Sequence, residues 1–298
     1  MTTECPVCNT PMIVSIPVVT DPMTMEPFAI LACPDCGLGL TDPTPENLGP
    51  YYSREYYGNR HGQTSALCLR RRLGWLAQQG GTLLDVGCGD GSFLVASQGR
   101  GWTVAGIERF PDDARAQGLE IFEDAAHLGD RTFDRITLWH SLEHISRPQS
   151  LMTGLARHLS PGGMLIVAVP DFGGWQSRFF GRHWLHLDVP RHLWHFTCGP
   201  LARLLSKAGL EAVATRHSEF EYDLLGWSQS MLNALFQKTP NDFFCFLTRK
   251  PMRSRGLARF VQIAVGLVLT GFSLPLVGIS SLARKGGTLV VMARETSA

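Results

Sequence analysis

Between residues 1 and 40 the chain carries no lysine and no arginine, so its N-terminal segment offers no phosphate-binding surface. A basic excess is missing from the whole chain as well. The 27 Lys plus Arg meet 26 Asp plus Glu, a formal charge of +1, which gives no overall field for nucleic acid and leaves only a local patch open. The start, MTTECPVCNT, also lacks a basic stretch followed by an apolar run; no signal peptide is read there, and a cytoplasmic protein is expected. In that compartment the eight cysteines read as thiols or metal ligands, not as a disulfide framework. With 44% apolar and 18% charged residues over 298 positions, the chain has an ordinary globular balance and can bury one sizeable core with an appended small module.

Four of the cysteines are paired in sequence: Cys5 with Cys8 around Pro6-Val7, and Cys33 with Cys36 around Pro34-Asp35. Each Cys-x-x-Cys places two thiolates on one tight turn. Two such knuckles supply the four sulfurs that structural zinc prefers; iron or a redox thiol pair are the competing uses. Four protein ligands leave no coordination position for substrate, so the expected role is structural. MIVSIPVV and FAILAC read as short strands, and residues 1–40 are expected to form a zinc ribbon, with Gly37 supplying permissive backbone after the second knuckle. Cys68, Cys88, Cys198 and Cys245 have no metal spacing and read as buried thiols. Residues 41–64 form a Tyr/Pro-rich linker, whose Tyr51, Tyr52, Tyr56 and Tyr57 are expected to pin it onto the next domain.

From residue 65 the pattern turns to alternating helix and strand. Leu69, Leu73 and Leu76 belong to a helical stripe. Residues 82–86, 102–107, 119–122, 133–139 and 164–169 read as buried strands, with helices over 92–98, 111–117 and 148–159 and a turn at Pro161-Gly162-Gly163. The first strand runs into Gly87-Cys88-Gly89-Asp90-Gly91, where glycines let the backbone approach a ligand and leave amides available at the helix start. A dinucleotide would use such a loop equally well. Asp85 separates the two readings, because a carboxylate inside the strand end repels a pyrophosphate and attracts the ammonium of S-adenosylmethionine. The third glycine also comes one residue too early for the Gly-x-Gly-x-x-Gly fingerprint. Glu108 ends the second strand, where an acid accepts hydrogen bonds from both ribose hydroxyls of an adenosyl group. Asp124, with Glu123 before it as the second candidate, follows the third strand, where an adenine amino group is met, and Trp139-His140 ends the fourth.

Taken together, LLDVGCGDGSF, IERF, FDRITLWHSLEHI and LSPGGMLIVAVP resemble the class I S-adenosylmethionine-dependent methyltransferase family over residues 65–217, and the resemblance resumes at 287–293. It implies an α/β fold: a doubly wound, seven-stranded Rossmann-like sheet with an antiparallel last strand, in a domain over 65–298. It implies S-adenosylmethionine contacts from Asp85, Gly87, Cys88, Gly89, Glu108, Arg109, Asp124, Ala125, Trp139 and His140. A zinc-binding segment before such a domain is similar to a bacterial subgroup that includes enzymes of sugar and lipid modification. These motifs leave the acceptor undetermined.

After Pro170 comes a loop rich in aromatics in which His183, His186, His192 and His195 fall within thirteen positions. It leaves the carboxyl edge of the sheet, where ligands bind in open α/β folds, and histidine there has the intrinsic basicity to take a proton from an acceptor hydroxyl. His192 is the first candidate base, then His186, then His140; core histidines are the competing reading for each. No base is needed if the acceptor is an amine, a thiolate or a stabilised carbanion. A second metal site is disfavoured, since Asp188 is the one acid among them. Pro190-Arg191-His192, with the aromatic, His195 and Phe196-Thr197 after it, is similar to a segment of the same methyltransferase subgroup, which implies that Asp188, Arg191 and His192 shape a pocket or orient substrate.

Residues 197–208 read as a capped helix, 210–216 as the sixth strand and 287–292 as the last, separated by a helical, apolar insert over 218–286. Within it a helix is expected over 224–235, and residues 260–283 carry no charge. That stretch is long enough to cross a bilayer, for which about 20 residues suffice. Basic residues flank it on both sides, Arg253, Arg255 and Arg259 before and Arg284 and Lys285 after, which opposes a crossing. Gly271 and Pro275 suggest a shallow helical hairpin. Residues 253–285 are therefore expected to insert at the cytoplasmic membrane surface, with an apolar lid or a dimer face as the alternatives. The acceptor expected beside such an insert is small and hydrophobic or lipid-linked: an isoprenoid, a lipid-linked sugar or a quinone-like ring. Competing functions are RNA or protein methylation recruited by the ribbon, methylation of a soluble nucleotide sugar, and a non-catalytic binding protein. The last should have lost Asp85, the glycines or Glu108, and all are present.

Overall fold

The computed structural model describes residues 3–52, 63–77 and 80–296; Tyr56 and Tyr57 of the linker lie outside that set. In chain order the strands are β1 Ile13–Thr20, β2 Pro27–Ala32, β3 Gly39–Asp42, β4 Gly81–Val86, β5 Trp102–Ile107, β6 Ile121–Phe122, β7 Phe133–Trp139, β8 Leu159–Pro170, β9 Trp194–His195, β10 Leu210–Arg216 and β11 Thr288–Glu295. The α-helices are α1 Gln63–Trp75, α2 Ser92–Gln98, α3 Asp112–Arg115, α4 Pro148–Ala156, α5 Trp175–Phe180, α6 Cys198–Lys207, α7 Phe220–Leu235, α8 Asp242–Leu247 and α9 Gly256–Leu282. They fall into two compact units, one made of Met1–Gln63, Pro170–Pro200 and Arg216–Leu289, the other of Thr64–Val169, Leu201–Thr215 and Val290–Ala298.

The second unit holds the seven-stranded sheet, in the order β10-β11-β8-β7-β4-β5-β6. Leu83, Leu84, Ile136, Leu138, Ile166 and Val167 are fully buried, as strands covered on both faces require. β4 pairs in parallel with β5 on one side and β7 on the other. The winding direction reverses between these neighbours, so the carboxyl ends of β4 and β7 flank the switch point where such sheets bind ligands. Ile121–Phe122 is shorter than the expected strand, because Leu119 and Glu120 sit ahead of the paired positions. The expected Pro161-Gly162-Gly163 turn lies inside β8 as an interruption of pairing. Phe133 pairs with Leu159 and Arg135 with Met164, so the intervening residues of β8 loop out of register.

The first unit does not follow the linear division at residues 40 and 64. β1, β2 and β3 are joined by β9, with Gly39 opposite His195 and Leu40 opposite Trp194. Val19, Phe28 and Ile30 of the ribbon share one core with Trp184, Leu187 and Val189 of the histidine loop. A short ribbon has too few apolar residues for a core of its own and borrows the loop's. A buried ion pair adds to this: Arg191, 1% exposed, donates from Nη2 to Asp21 Oδ1 at 2.7 Å and to Asp188 Oδ1 at 2.7 Å. Tyr51 pins the linker to the ribbon and to the histidine loop, packing edge-on against Phe28 at 6.0 Å, donating its hydroxyl to Glu26 and accepting at its carbonyl from Arg191 Nη1 at 3.4 Å.

The insert also lies in the first unit, as α7, α8 and α9. The expected hairpin is instead one uninterrupted helix of 27 residues with Pro275 inside it. A lone proline removes a single i→i−4 hydrogen bond, whereas a hairpin needs several residues out of helical geometry with their backbone groups satisfied. Of the four cysteines outside the knuckles only Cys88 is buried; Cys198 is exposed and Cys68 and Cys245 are intermediate. Spacing told nothing about which face of its element each thiol would occupy.

Candidate functional site

Asp85 is the fifth residue of β4 and 3% exposed. Its register partner on β7 is Thr137, whose hydroxyl donates to Asp85 Oδ1 at 2.6 Å. Burial pushes the Asp85 carboxyl up to about 6, against the Thr137 hydrogen bond and the Arg72 charge, which lower it. Burial outweighs both, which makes this a carboxylate that gains from a positive ligand.

The loop after β4 is shaped by glycine where no side chain fits. Gly87 has φ +76°, and a Cβ there would lie 2.5 Å from the Cβ of Ser141. Ser141 in turn donates its hydroxyl to Val86 O at 2.7 Å, tying the ends of β4 and β7 together. Five amides of the loop and the helix start are already used. Gly87 and Cys88 donate to Ile107 O, Gly91 to Cys88 O, Ser92 to Asp90 Oδ1, and Gly89 to Glu108 Oε2 at 2.8 Å. A diphosphate needs a nest of open amides. This turn offers instead a buried carboxylate beneath it and Glu108 beside it.

Glu108 follows β5 and also accepts from Phe110 N at 3.2 Å, so its two oxygens are oriented from both sides and keep lone pairs for hydroxyl donors. Arg109 is exposed and stacks over Phe110 at 5.6 Å. Asp124 accepts from Ala126 N at 2.8 Å and thereby caps the short turn that begins at Ala125, while Glu123 is drawn away to Arg115. Trp139 sends its ring into the core against Phe93, with Arg72 5.0 Å over it, and its indole N–H is buried without a hydrogen-bond partner. His140 takes the left-handed region at φ 52°, donates its amide to Ala168 O and sets Nδ1 3.7 Å from Glu143 Oε1. A strained non-glycine residue at the carboxyl end of a strand is a common mark of a working site. The structure thus gathers all the cofactor residues named from sequence onto the carboxyl ends of β4, β5, β6 and β7, and adds Thr137, Ser141 and Arg72. Those three were invisible because their roles depend on strand register and helix placement.

In the first unit, the histidine loop fixes the tautomers of its imidazoles. His192 Nδ1 lies 2.9 Å from His186 O, and a carbonyl only accepts, so the proton is on Nδ1 and the lone pair on Nε2, 3.9 Å from Asp188 Oδ2. His186 Nε2 faces Tyr222 O at 3.2 Å, which holds its proton there. Thr41 is fully buried; its hydroxyl donates to His192 O at 2.6 Å and must therefore accept from His195 Nε2 at 3.0 Å. Thr41 lies 151 positions from His192, a separation across which sequence shows nothing. Arg191, implied to orient substrate, has its guanidinium committed to Asp21 and Asp188.

At the ribbon end, the Sγ atoms of Cys5, Cys8, Cys33 and Cys36 lie within 4.8 Å of one another. Cys5 to Cys36 is 3.6 Å and Cys8 to Cys33 is 3.3 Å, close to the spacing of about 3.8 Å that a tetrahedral ion at 2.3 Å from each sulfur requires. Both knuckles turn alike: Asn9 N donates to Cys5 O, Gly37 N to Cys33 O, and both residues sit at positive φ. The donor set fits a structural metal.

A family profile described as a methyltransferase domain matches residues 59–215. Among curated proteins, a ubiquinone biosynthesis O-methyltransferase of Klebsiella pneumoniae is 29% identical over 140 residues, covering 40% of this chain and 58% of that protein. One of the same description from Thiobacillus denitrificans is 28% identical over 165 residues, 47% of this chain and 70% of its own length. Against the Klebsiella relative the match therefore spans little more than half of its length. Among solved structures, a SAM-dependent methyltransferase from Archaeoglobus fulgidus superposes with a TM-score of 0.49 at 16% identity, over 78% of this chain and 94% of that one. With the profile covering more than half of the sequence, the chain belongs to the methyltransferase-domain family, the class I S-adenosylmethionine-dependent methyltransferases.

Proposed function

We propose that the chain transfers a methyl group from S-adenosylmethionine to a small apolar or lipid-linked acceptor at the cytoplasmic face of a membrane. One observation carries the cofactor reading: Asp85 is buried under a turn whose three glycine amides are engaged, which favours an ammonium over a diphosphate. The bound cofactor supplies an electrophilic methyl on sulfur. Asp85 would hold its amino group, Glu108 its ribose hydroxyls, and Asp124 with Ala125 its adenine edge. Calorimetry with S-adenosylmethionine tests this assignment directly, and no measurable binding would refute it.

The hydrophobic acceptor is supported by the exposed apolar insert, by the aromatic loop, and by the names of the relatives, which act in ubiquinone biosynthesis. In this reading His192 is the general base. Its Nε2 lone pair takes the proton from the acceptor hydroxyl, while Nδ1 stays anchored on His186 O and Asp188 stabilises the imidazolium. Thr41→Val is expected to lower kcat by about tenfold or more by loosening this loop, with S-adenosylmethionine affinity unchanged and Thr41→Ser restoring activity. Equal losses in Thr41→Ser and Thr41→Val would show that the hydroxyl has no such role.

Zinc is the ion proposed for the four cysteines. The purified chain is expected to carry one equivalent by elemental analysis, and Cys36→Ser is expected to lose it. Because β9 pairs with β3, loss of the ion should also raise hydrogen exchange in residues 194–195. Retention of zinc by Cys36→Ser would move the site elsewhere.

A further inference from the structure

The insert between β10 and β11 has its polarity reversed relative to a water-soluble helix pair. α9 buries Gln262, Gly266, Ser273, Val277 and Ser280, spaced as one helical face and nearly all small or polar. On the opposite face Leu257, Phe260, Phe272 and Leu282 stand 78, 69, 69 and 87% exposed. α7 packs beside it with a mixed face, burying Ser228, Gln229, Ser230 and Asn233 together with Trp227 and Leu232.

Several of the inward polar side chains bond to one another. Gln262 donates to Thr239 Oγ1 at 2.7 Å, Gln229 to Asn233 Oδ1 at 2.8 Å, and Asn233 to Asn241 Oδ1 at 2.8 Å. Gly266 lets the chain close on Phe243, where a Cβ would meet the ring at 2.5 Å. In water the hydrophobic effect drives large side chains inward, so this arrangement forfeits its main driving force. In lipid the preference inverts: small faces let helices approach, and polar side chains join them from within.

Charge points to the same surroundings. Between Asp242 and Glu295 the sequence contains no acid, while Arg255 and Arg259 stand at one end of α9 and Arg284 and Lys285 at the other. A helix of 27 residues is about 40 Å long at 1.5 Å per residue, and both of its ends carry cations. The strands on either side of the insert, β10 and β11, are neighbours in one sheet, so both ends of the insert return to the same side.

We propose that α9, backed by α7, forms a lipid-embedded platform whose partner is an anionic bilayer. α9 lies in the membrane plane, with Phe260, Leu267, Val268, Phe272 and Ile279 among the acyl chains and its cationic ends at the level of the lipid phosphates. The proposal rests on the reading of a membrane-facing methyltransferase above and specifies the surface it uses.

The test is flotation of the full chain with vesicles of phosphatidylcholine alone or of an equimolar phosphatidylcholine–phosphatidylglycerol mixture. The wild type is expected to float with the mixture and several-fold less with phosphatidylcholine alone. Arg255→Gln and Arg259→Gln should each lose about fivefold on the mixture. The double variant Val268→Asp, Phe272→Asp, altered only at exposed positions, should lose at least tenfold while keeping wild-type S-adenosylmethionine affinity. A wild type that floats with neither vesicle overturns the proposal, as does a double variant that floats like the wild type. A lipid-free dimer that the double variant converts to monomer, without vesicle binding, assigns the face to a second copy instead. Flotation without methyl transfer to any apolar acceptor would sink the acceptor reading alone. Methyl transfer without flotation would sink this proposal alone.

Discussion

Asp85→Asn is expected to weaken S-adenosylmethionine binding about a hundredfold or more while raising the thermal stability of the cofactor-free protein. The two effects share one cause. Burial lifts the Asp85 carboxyl from its ordinary 3.8 to about 6, so the folded chain binds that proton more tightly than the unfolded chain does. The group's contribution to folding is complete below pH 3.8 and is lost as the pH rises through 6. At neutral pH the ionised, buried carboxylate therefore subtracts up to about 3 kcal/mol, at 1.36 kcal/mol per pKa unit. Asparagine keeps an oxygen for the Thr137 hydroxyl and removes the charge. An ammonium in the site offsets the same burden in the wild type, so its affinity should fall as pH drops below 6, whereas the variant's should stay flat. Thermal melts and calorimetry across pH measure both. Unchanged affinity, or a less stable variant with normal binding, would contradict the assignment.

His192→Gln is expected to lower kcat by about 10²–10⁴-fold at neutral pH without altering cofactor affinity. Glutamine places its amide near the Nε2 position, where it has no basic lone pair. The deficit should narrow as pH rises, because an acceptor hydroxyl that ionises unaided needs no base. His186→Ala should cost less, since His186 Nε2 is held on Tyr222 O. A deficit constant across pH would mark His192 as a positioning residue, and an unaffected kcat would remove it from the reaction.

Much of the second unit is written locally. Apolar runs such as Leu83-Leu84 and Leu165-Ile166-Val167 admit little but buried strands, and the Gly87–Gly91 loop with Asp85 and Glu108 marks the cofactor end by its residue types. What sequence hid depends on contacts between distant segments. Thr137 matters because parallel pairing sets it opposite Asp85, and Thr41 because β3 pairs with β9. The first unit was the harder case for the same reason: its core is shared by residues near positions 20–30 and 184–189. In the insert, the uncharged run announces an apolar element, but Pro275 suggests a break where one lost hydrogen bond is tolerated. The composition of residues 260–283 also concealed that Gln262, Gly266, Ser273 and Ser280 line a single buried face.

The most direct measurement compares S-adenosylhomocysteine with its analogue lacking the amino group, bound to the wild type and to Asp85→Asn. If the carboxylate beneath the glycine turn reads an ammonium, deleting that group should weaken wild-type binding by about a hundredfold and leave the variant nearly indifferent. An equal loss in both proteins would mean that Asp85 and the amino group do not meet, and the cofactor site described here would be wrong.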